Sequence, residues 1–400
     1  MELDRLRVRR RRSRTALVFG AALLVASTIQ KFPVPLGGAN VYLPHLVAVV
    51  LFPIFFYGER IVGKVRNVLL FFAISAIVAA LPSLTLELWD VRLSLILQIL
   101  LNVFTFIVSF ALFRQLTIRD LEQLIIGSSL VLVLAAGAQL VIAPGVNPRT
   151  ETTFGLAHPI LLFNEETWLA LFAALLAVCA YGIGARKAGH LLSLMVIFIG
   201  TRSAMIVVAV SVAMTVQGLA TRKWVRFLCA SSPIAFALWF VFDSVFATTG
   251  RVYNDTLDTR AADISAVRQA NNDDFLPFGG EVVSVFDFSR SRLVPATSNV
   301  QSFELFWKFG LGGLAIVALF AALVSVILPR LALSSSSKGG WPVWLPLMVW
   351  PAMLQFNNAF GFPWMWVMLA LCIAVLAVEA REEISNASTP QTMTFGRNRT

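Results

Sequence analysis

Residues 93–113 have the sequence LSLILQILLNVFTFIVSFALF, which contains no charged side chain. A helix rises about 1.5 Å per residue, so a stretch of this length spans the ~30 Å hydrocarbon core of a bilayer. A backbone surrounded by lipid must satisfy its own hydrogen bonds, and a helix does so within one segment. The stretch also lacks the polar alternation that is typical of a barrel strand. It therefore predicts a transmembrane helix.

Similar apolar stretches recur along all 400 residues of the chain. Hydrophobic residues make up 58% of the sequence and charged residues 14%, against roughly 25% charged residues in soluble domains. We therefore expect an all-α fold, a polytopic transmembrane helical bundle of about 12 helices, and not a soluble protein. The predicted spans are 15–29, 41–58, 67–86, 93–113, 121–143, 163–184, 190–200, 203–220, 225–246, 303–328, 341–357 and 363–380. The seventh is too short to cross alone and is expected to turn back at residues 200–202.

The basic residues predict the topology. If the N-terminus is cytoplasmic, most of the 32 Lys and Arg residues fall in alternate, cytoplasmic segments, as the positive-inside rule requires. Both termini are then cytoplasmic, and a large extracytoplasmic loop joins the ninth helix to the tenth. We expect both tails to be disordered, with the basic one lying on anionic headgroups. The predicted division is a basic tail 1–14, helices 1–9 in 15–246, the large loop 247–302, helices 10–12 in 303–380, and a tail 381–400.

The three cysteines, Cys179, Cys229 and Cys372, all fall inside predicted helices. A framework of extracytoplasmic disulfides is therefore excluded, and we expect them to be small core residues.

Arg202 lies between two apolar stretches, at the predicted outer edge of the membrane. A guanidinium group there is costly unless it faces a wet cavity or an anion, which favours a functional role. The alternative is an arginine at a helix end whose head extends to the interface.

Two adjacent carboxylates, Glu165 and Glu166, open the sixth predicted helix on the extracytoplasmic side. Acidic residues favour the first turn of a helix because of its dipole, which needs no function. A carboxylate at a low-dielectric boundary is also suited to act as a general base toward a sugar hydroxyl. His158, in the preceding loop, is an alternative base or an ordinary polar surface residue.

The large loop carries Arg260 and Arg268, followed by LPFGG at 276–280. The Pro-Phe-Gly-Gly run predicts a tight turn. A segment of this length is expected to fold as a lid or small subdomain over the membrane face. Asn299 then precedes a helix start at 303–313, where glycines permit close helix packing.

In this order, the features resemble the bacterial O-antigen ligase and O-antigen polymerase superfamily, integral membrane glycosyltransferases of the GT-C type. GTRSA at 200–204 is similar to the family's Thr/Gly-Ser-Arg-Gly turn between two mid-chain helices. Arg149 followed by FNEE at 163–166 is similar to an Arg-then-Asn/Glu-Pro stretch that opens an earlier helix.

The likeness continues into the large loop. Arg260 with PFGG at 277–280 resembles the family's loop arginine and Pro-x-Gly-x-Gly turn, and Asn299 with FGLGG at 309–313 resembles the His-Asn and Gly-x-x-Gly entry to the next helix. Ser298 stands where the family has histidine, and Glu166 stands where it has proline. The missing histidine is implicated in ligation, so these departures favour polymerisation over ligation.

The resemblance implies transfer of a glycan from an undecaprenyl diphosphate carrier to a sugar hydroxyl, on the extracytoplasmic face of the bacterial cytoplasmic (inner) membrane. The partners would be the lipid-linked oligosaccharide donor, a glycan acceptor, membrane lipids and a chain-length regulator protein; no nucleic acid is expected. Arginines at 149, 202 and 260 would hold the diphosphate. Arg268, His158 and Asn299 are further expected substrate contacts, and Glu165 or Glu166 would be the base.

The resemblance also implies that neither a metal nor another cofactor is needed, since the first outer loop, 30–40, contains no acidic residue, unlike that of the metal-dependent members of the wider GT-C class. Asp273 and Asp274 form an acidic pair, but such pairs in a hydrophilic loop are usually solvated.

Two alternatives remain, a secondary transporter with twelve spans and a lipid-linked glycan flippase. Transporters generally place ionisable residues at mid-bilayer, and the predicted helix centres contain almost none. A flippase is expected to have a basic central cavity, which the sequence does not indicate.

Overall fold

The computed structural model describes the greater part of the chain, with side chains from Arg14 onward. The residues described are 2–36, 39–55, 60–85, 89–142, 152–153, 156–163, 165–215, 224, 267–271, 277–280, 284–287, 292–295, 301–333, 340–354 and 359–388. The ninth predicted span, 225–246, lies outside them, and so does most of the large loop.

The described chain is mainly helical, with three short antiparallel hairpins and the turns and loops that join these elements. The helices are α1 (Glu2–Thr28), α2 (Leu43–Phe55), α3 (Arg60–Ala80), α4 (Trp89–Phe113), α5 (Ile118–Ile142), α6 (Glu166–Gly182), α7 (Arg186–Ile199), α8 (Arg202–Met214), α9 (Gln301–Phe309), α10 (Leu311–Ala332), α11 (Trp341–Met353) and α12 (Pro363–Ser388). The hairpins pair β1 (Val34–Leu36) with β2 (Ala39–Val41), β3 (Thr152–Thr153) with β4 (Leu156–Ala157), and β5 (Ser284–Asp287) with β6 (Arg292–Pro295). A 3₁₀ helix, Leu81–Thr85, extends α3.

The fold is that of an all-α helical membrane protein. Five stretches within the described ranges are long and apolar enough to cross a membrane: Val62–Ser83, Arg92–Phe113, Ile118–Ile142, Leu311–Ala332 and Pro363–Glu382. Four further apolar helices are shorter: Arg14–Thr28, Leu43–Ile54, Glu166–Gly182 and Arg202–Met214.

Helices α6 and α12 form the centre of the bundle. Every residue from Trp168 to Gly182 is buried, as is 94% of the apolar window of α12. A helix that is apolar on all sides belongs in such a core, and α4 packs against α12. Between α6 and α12, the Sγ atoms of Cys179 and Cys372 lie 3.3 Å apart as buried free thiols, which confirms their expected place in the core. Helix α5 is peripheral, with only 22% of its window buried.

The two ends of the bundle are named after the arginines at the two ends of α4: Arg92 lies in its first turn, and Arg114 directly follows its last residue. At the Arg92 end, the N–H of Gln30 donates to Leu162 O (3.0 Å). At the Arg114 end, the guanidinium of Arg381 donates to the carbonyls of Arg114 (3.3 Å) and Leu116 (2.9 Å). Basic residues are concentrated on helix ends and turns at the Arg114 end: Lys64, Arg66, Arg114, Arg119, Arg186, Lys187, Arg330 and Arg381. This is the distribution that the positive-inside rule associates with a cytoplasmic side.

The structure corrects two expectations. The predicted tenth span, 303–328, is broken at Gly310, which has a φ of +56° and separates α9 from α10. The tails are also not wholly irregular, because α1 begins at Glu2 and α12 continues to Ser388. The predicted turn at 200–202 is confirmed, with Gly200 at a φ of +73° between α7 and α8.

Candidate functional site

A buried histidine and a buried carboxylate meet at the Arg92 end. The Nδ1 atom of His158 lies 4.0 Å from Oε2 of Glu166, and the two residues are 6% and 4% exposed. Glu166 is the first residue of α6, where the helix dipole stabilises negative charge. The ring of His158 packs edge-on against Phe198 near the end of α7, with centroids 6.0 Å apart. Glu165 is half-buried beside Glu166, at the N-cap position of α6.

The loop that carries His158 is fixed from two sides. The side-chain carbonyl of Gln139 on α5 accepts the N–H groups of Ile160 (3.1 Å) and Leu161 (2.7 Å), and the N–H of Gln30 donates to Leu162 O. Leu161 has a φ of +49°, a left-handed conformation that costs a non-glycine residue about 1–2 kcal/mol. The surrounding hydrogen bonds offset that cost, and they hold His158 over the start of α6.

Arg202 is the first residue of α8 and is exposed. It follows Phe198, the residue that packs on His158, by four positions, across the turn at Gly200. Arg202 and the His158–Glu166 pair therefore lie at the same end of the bundle.

A second arginine at this end, Arg92, is a feature that the sequence analysis missed. Its guanidinium is 1% exposed and donates to three backbone carbonyls: Ser83 (3.0 Å), Lys308 (2.8 Å) and Gly280 (2.7 Å). One side chain therefore joins the end of α3, the end of α9 and the Pro-Phe-Gly-Gly turn of the large loop. The sequence shows Arg92 only as a basic residue flanking a span.

The Pro-Phe-Gly-Gly turn, 277–280, is docked on the break between α9 and α10. The N–H of Gly280 donates to Trp307 O (2.8 Å), and the N–H of Leu311 donates to Pro277 O (3.0 Å). A Cβ atom at Gly310 would overlap Pro277 O, so the close approach requires glycine there. The predicted turn is confirmed, and its partner is the helix break that the sequence did not indicate.

The side chains of Glu304 and Lys308 form a buried ion pair, one turn apart on α9. Glu304 lines a cavity of about 60 Å³ together with Leu95, Leu305 and residues 360–362. The pair was available from sequence as an acidic and a basic residue four positions apart. The sequence does not predict that the pair is buried, because its burial depends on the break between α9 and α10.

His45 starts a chain of hydrogen bonds that ends at Phe360, in the wall of this cavity. Its Nδ1 accepts the N–H of Tyr42 (3.0 Å), so Nε2 carries the proton and donates to Asn102 Oδ1 (2.9 Å). Asn102 in turn donates to Phe360 O (3.2 Å), and the indole N–H of Trp366 donates to the same carbonyl (2.9 Å). These bonds hold together α2, α4 and the segment before α12, which forms a wall of the cavity.

The sequence matches no protein-family model, and no curated protein is significantly similar to it.

The two buried carboxylates, Glu304 and Glu166, differ in what they can do chemically. In Glu304 the negative charge is neutralised by Lys308, so this group is suited to holding structure. Glu166 faces an imidazole instead, and a carboxylate beside an imidazole in a dry site can accept and pass on a proton. Within the described part of the chain, no group of three or more His, Cys, Asp or Glu side chains is placed to hold a metal ion.

For the remaining predicted site residues, the structure describes no contact with the His158–Glu166 pair. Arg149, Arg260 and Asn299 lie outside the described residues. Arg268 lies in a short helical segment at 267–271 and is half-buried. Of the three arginines expected to hold a diphosphate, the structure therefore describes Arg202.

Proposed function

We propose that this protein is a membrane glycosyltransferase similar to the O-antigen polymerases and ligases, and that it extends a glycan carried on undecaprenyl diphosphate. The observation that carries the proposal is the buried His158–Glu166 pair near the turn that presents Arg202. The pair would supply a proton acceptor and Arg202 a fixed cation, both at one end of a membrane bundle. The proposed reaction needs both.

The proposed topology has twelve spans in the bacterial cytoplasmic membrane, with both termini in the cytoplasm. The Arg92 end then faces the extracytoplasmic side. Its support is the concentration of basic residues at the opposite, Arg114 end.

In the proposed step, a hydroxyl of the acceptor sugar attacks the anomeric carbon of the donor. The bond from that carbon to the diphosphate oxygen breaks as the new glycosidic bond forms, and the lipid diphosphate leaves. Glu166 takes the hydroxyl proton, a role that contributes roughly 10²–10⁴-fold in rate for positioned general bases. His158 stands beside it as the alternative acceptor, and Glu165 as the neighbouring carboxylate.

Arg202 is proposed to stabilise the negative charge that develops on the departing diphosphate. A guanidinium binds phosphate oxygens bidentately and stays charged at every physiological pH. We propose that Arg149 and Arg260 join it, with Arg268 and Asn299 as substrate contacts, and that fixed cations take the part that a metal ion has in other transferases.

Incubating the purified protein with synthetic undecaprenyl diphosphate-linked repeat units tests the proposal, with chain growth followed by gel electrophoresis. Arg202→Ala and Glu166→Gln are each expected to reduce chain growth by roughly a hundredfold. Arg330→Ala, at the opposite end of the bundle, is the matched control and is expected to retain activity. Undiminished chain growth in Arg202→Ala and Glu166→Gln would rule out the assigned roles.

A secondary transporter is the second candidate, and the buried polar groups favour it. His45, an ionisable residue, is hydrogen-bonded to Asn102 inside the bundle, a property of many ion pathways. Substrate uptake into proteoliposomes without formation of any glycosidic bond would decide for this candidate.

A further inference from the structure

An open apolar groove runs along the outside of the bundle between α1 and α5. It encloses about 340 Å³, which lies within the range of ligand-binding pockets. Its walls extend from Leu17 to Thr28 on α1 and from Gln123 to Ala135 on α5, and Phe172 of α6 is among the residues that line it. At about 1.5 Å per residue, the groove is roughly 18 Å long, more than half the thickness of the hydrocarbon core.

The groove is continuous with the surface that α5 presents to lipid. Ile126, Leu130 and Leu134 on this helix are exposed apolar residues, as expected for a helix at the bundle periphery. A cavity open to that surface, at that depth, meets hydrocarbon chains and not water.

One end of the groove borders the loop that carries His158. Leu161 lines the groove, and it belongs to the loop that holds His158 over Glu166. The adjacent residue Leu162 accepts the N–H of Gln30, and the exposed Lys31 follows Gln30 in the chain, three residues after Thr28 of the lining, so Lys31 lies near this end of the groove. An apolar channel with an ammonium group at its open end is complementary to an amphiphile with an anionic headgroup.

We propose that this groove binds the polyprenyl chain of the lipid-linked donor, with its phosphate groups beside Lys31. The choice of a polyprenyl chain over an acyl chain rests on the proposed function. Bound in this way, the chain would guide the diphosphate toward Arg202 and the sugar toward Glu166. A different lipid or a second copy of this protein in the groove are the competing occupants.

Two pairs of positions allow matched substitutions. Gly127 lines the groove and has open space beside its Cα, so Gly127→Phe fills the groove without displacing backbone. Gly137 on the same helix has equally open space but does not line the groove, so Gly137→Phe is its control. On α1, Ala21→Phe fills the groove, while Ala22→Phe adds the same ring at an exposed position outside the lining.

The test uses the full-length protein in phosphatidylcholine nanodiscs with a polyprenyl monophosphate that carries a diazirine in its chain. After irradiation, mass spectrometry is expected to locate labels on α1 and α5 along the groove. Gly127→Phe and Ala21→Phe should each reduce labelling about tenfold, which corresponds to lost contact with roughly two CH₂ groups. Gly137→Phe and Ala22→Phe should label like wild type. Lys31→Ala should weaken labelling by the phosphate probe while leaving labelling by the matching neutral polyprenol unchanged.

Several results would overturn the proposal: equal labelling in Gly127→Phe and wild type, equal labelling by a diazirine-bearing phosphatidylglycerol, or cross-links between α5 helices of two copies. Chain growth is measured on the same preparations to separate the two proposals. Labelling that follows the expected pattern without chain growth in wild type would support the groove and contradict the transferase. Chain growth in wild type without labels in the groove would support the transferase and contradict the groove.

Discussion

Replacing Arg92 with methionine is the sharpest test of how the large loop is attached to the bundle. The guanidinium joins three segments through the carbonyls of Ser83, Lys308 and Gly280, and it is almost completely buried. Methionine keeps a long side chain at this position but has no hydrogen-bond donor. All three carbonyls would then lose the partner that the structure gives them.

The expected loss of stability follows from these three bonds. An acceptor left buried without a donor costs about 1–3 kcal/mol, so three acceptors amount to several times that. Removing a buried charge offsets part of this cost, because the guanidinium no longer has to be desolvated. We expect Arg92→Met to lower the free energy of unfolding by about 3–5 kcal/mol. The stability of Arg92→Lys should lie between that of wild type and that of Arg92→Met, because an ammonium group donates hydrogen bonds but cannot reproduce the planar fork of donors.

Thermal unfolding in detergent, followed by tryptophan fluorescence, measures the change. Limited proteolysis should also show faster cleavage around 277–280 in Arg92→Met, because the turn has lost one of the hydrogen bonds that hold it on the bundle. Arg119→Met, an exposed position at the opposite end, is the control and should change stability by less than about 0.5 kcal/mol. If Arg92→Met unfolds at the wild-type temperature with an unchanged cleavage pattern, the three hydrogen bonds do not hold the loop.

Two further predictions concern the helix that the turn docks against. Gly310→Ala should destabilise the protein by more than about 1 kcal/mol, because Gly310 combines a φ of +56° with contact to Pro277 O. Gly137→Ala, at an open helical position, is the control and should not be destabilised in this way. Equal melting temperatures for the two variants would refute the argument. Glu304→Gln should cost about 3–5 kcal/mol by leaving Lys308 buried without its counter-charge, and a Glu304→Gln, Lys308→Met double variant should recover most of it in a thermal unfolding assay. A double variant no more stable than the single one would show that the ion pair is not the source of the loss.

Local signals predicted much of the fold. The apolar run 93–113 and helix α4 end at the same residue, and the helix begins four residues earlier than the run. The glycine turn at 200–202 separates α7 from α8 as expected. Both depend on short-range chemistry: an uninterrupted apolar run must be helical in lipid, and glycine adopts the left-handed conformation at low cost. The sequence also indicated Glu166 as a candidate, because polar residues at the start of an apolar helix stand out, and His158 as a polar residue in the loop before it.

The break at Gly310 could not be predicted in the same way. Residues 303–328 form one largely apolar run that also carries Glu304 and Lys308, and glycines inside such a run are compatible with a continuous helix. The break depends on Pro277, some thirty residues earlier in the chain, whose carbonyl accepts the N–H of Leu311. Arg92 was missed for a related reason, since its three partners come from distant segments and its sequence context is that of any basic residue at a helix end.

The docked turn also changes how the resemblance should be interpreted. In this chain, the Pro-Phe-Gly-Gly turn contributes backbone groups to the α9–α10 break and to Arg92, and these contacts hold structure. Glu166 and Arg202, the proposed proton acceptor and the proposed cation, lie elsewhere, on the starts of α6 and α8. Substitutions in the turn should therefore reduce stability before they affect the chemical step, whereas substitutions at Glu166 or Arg202 should reduce chain growth in a protein that remains folded. The Pro-Phe-Gly-Gly turn is thus an anchor that joins residues 277–280 to the bundle.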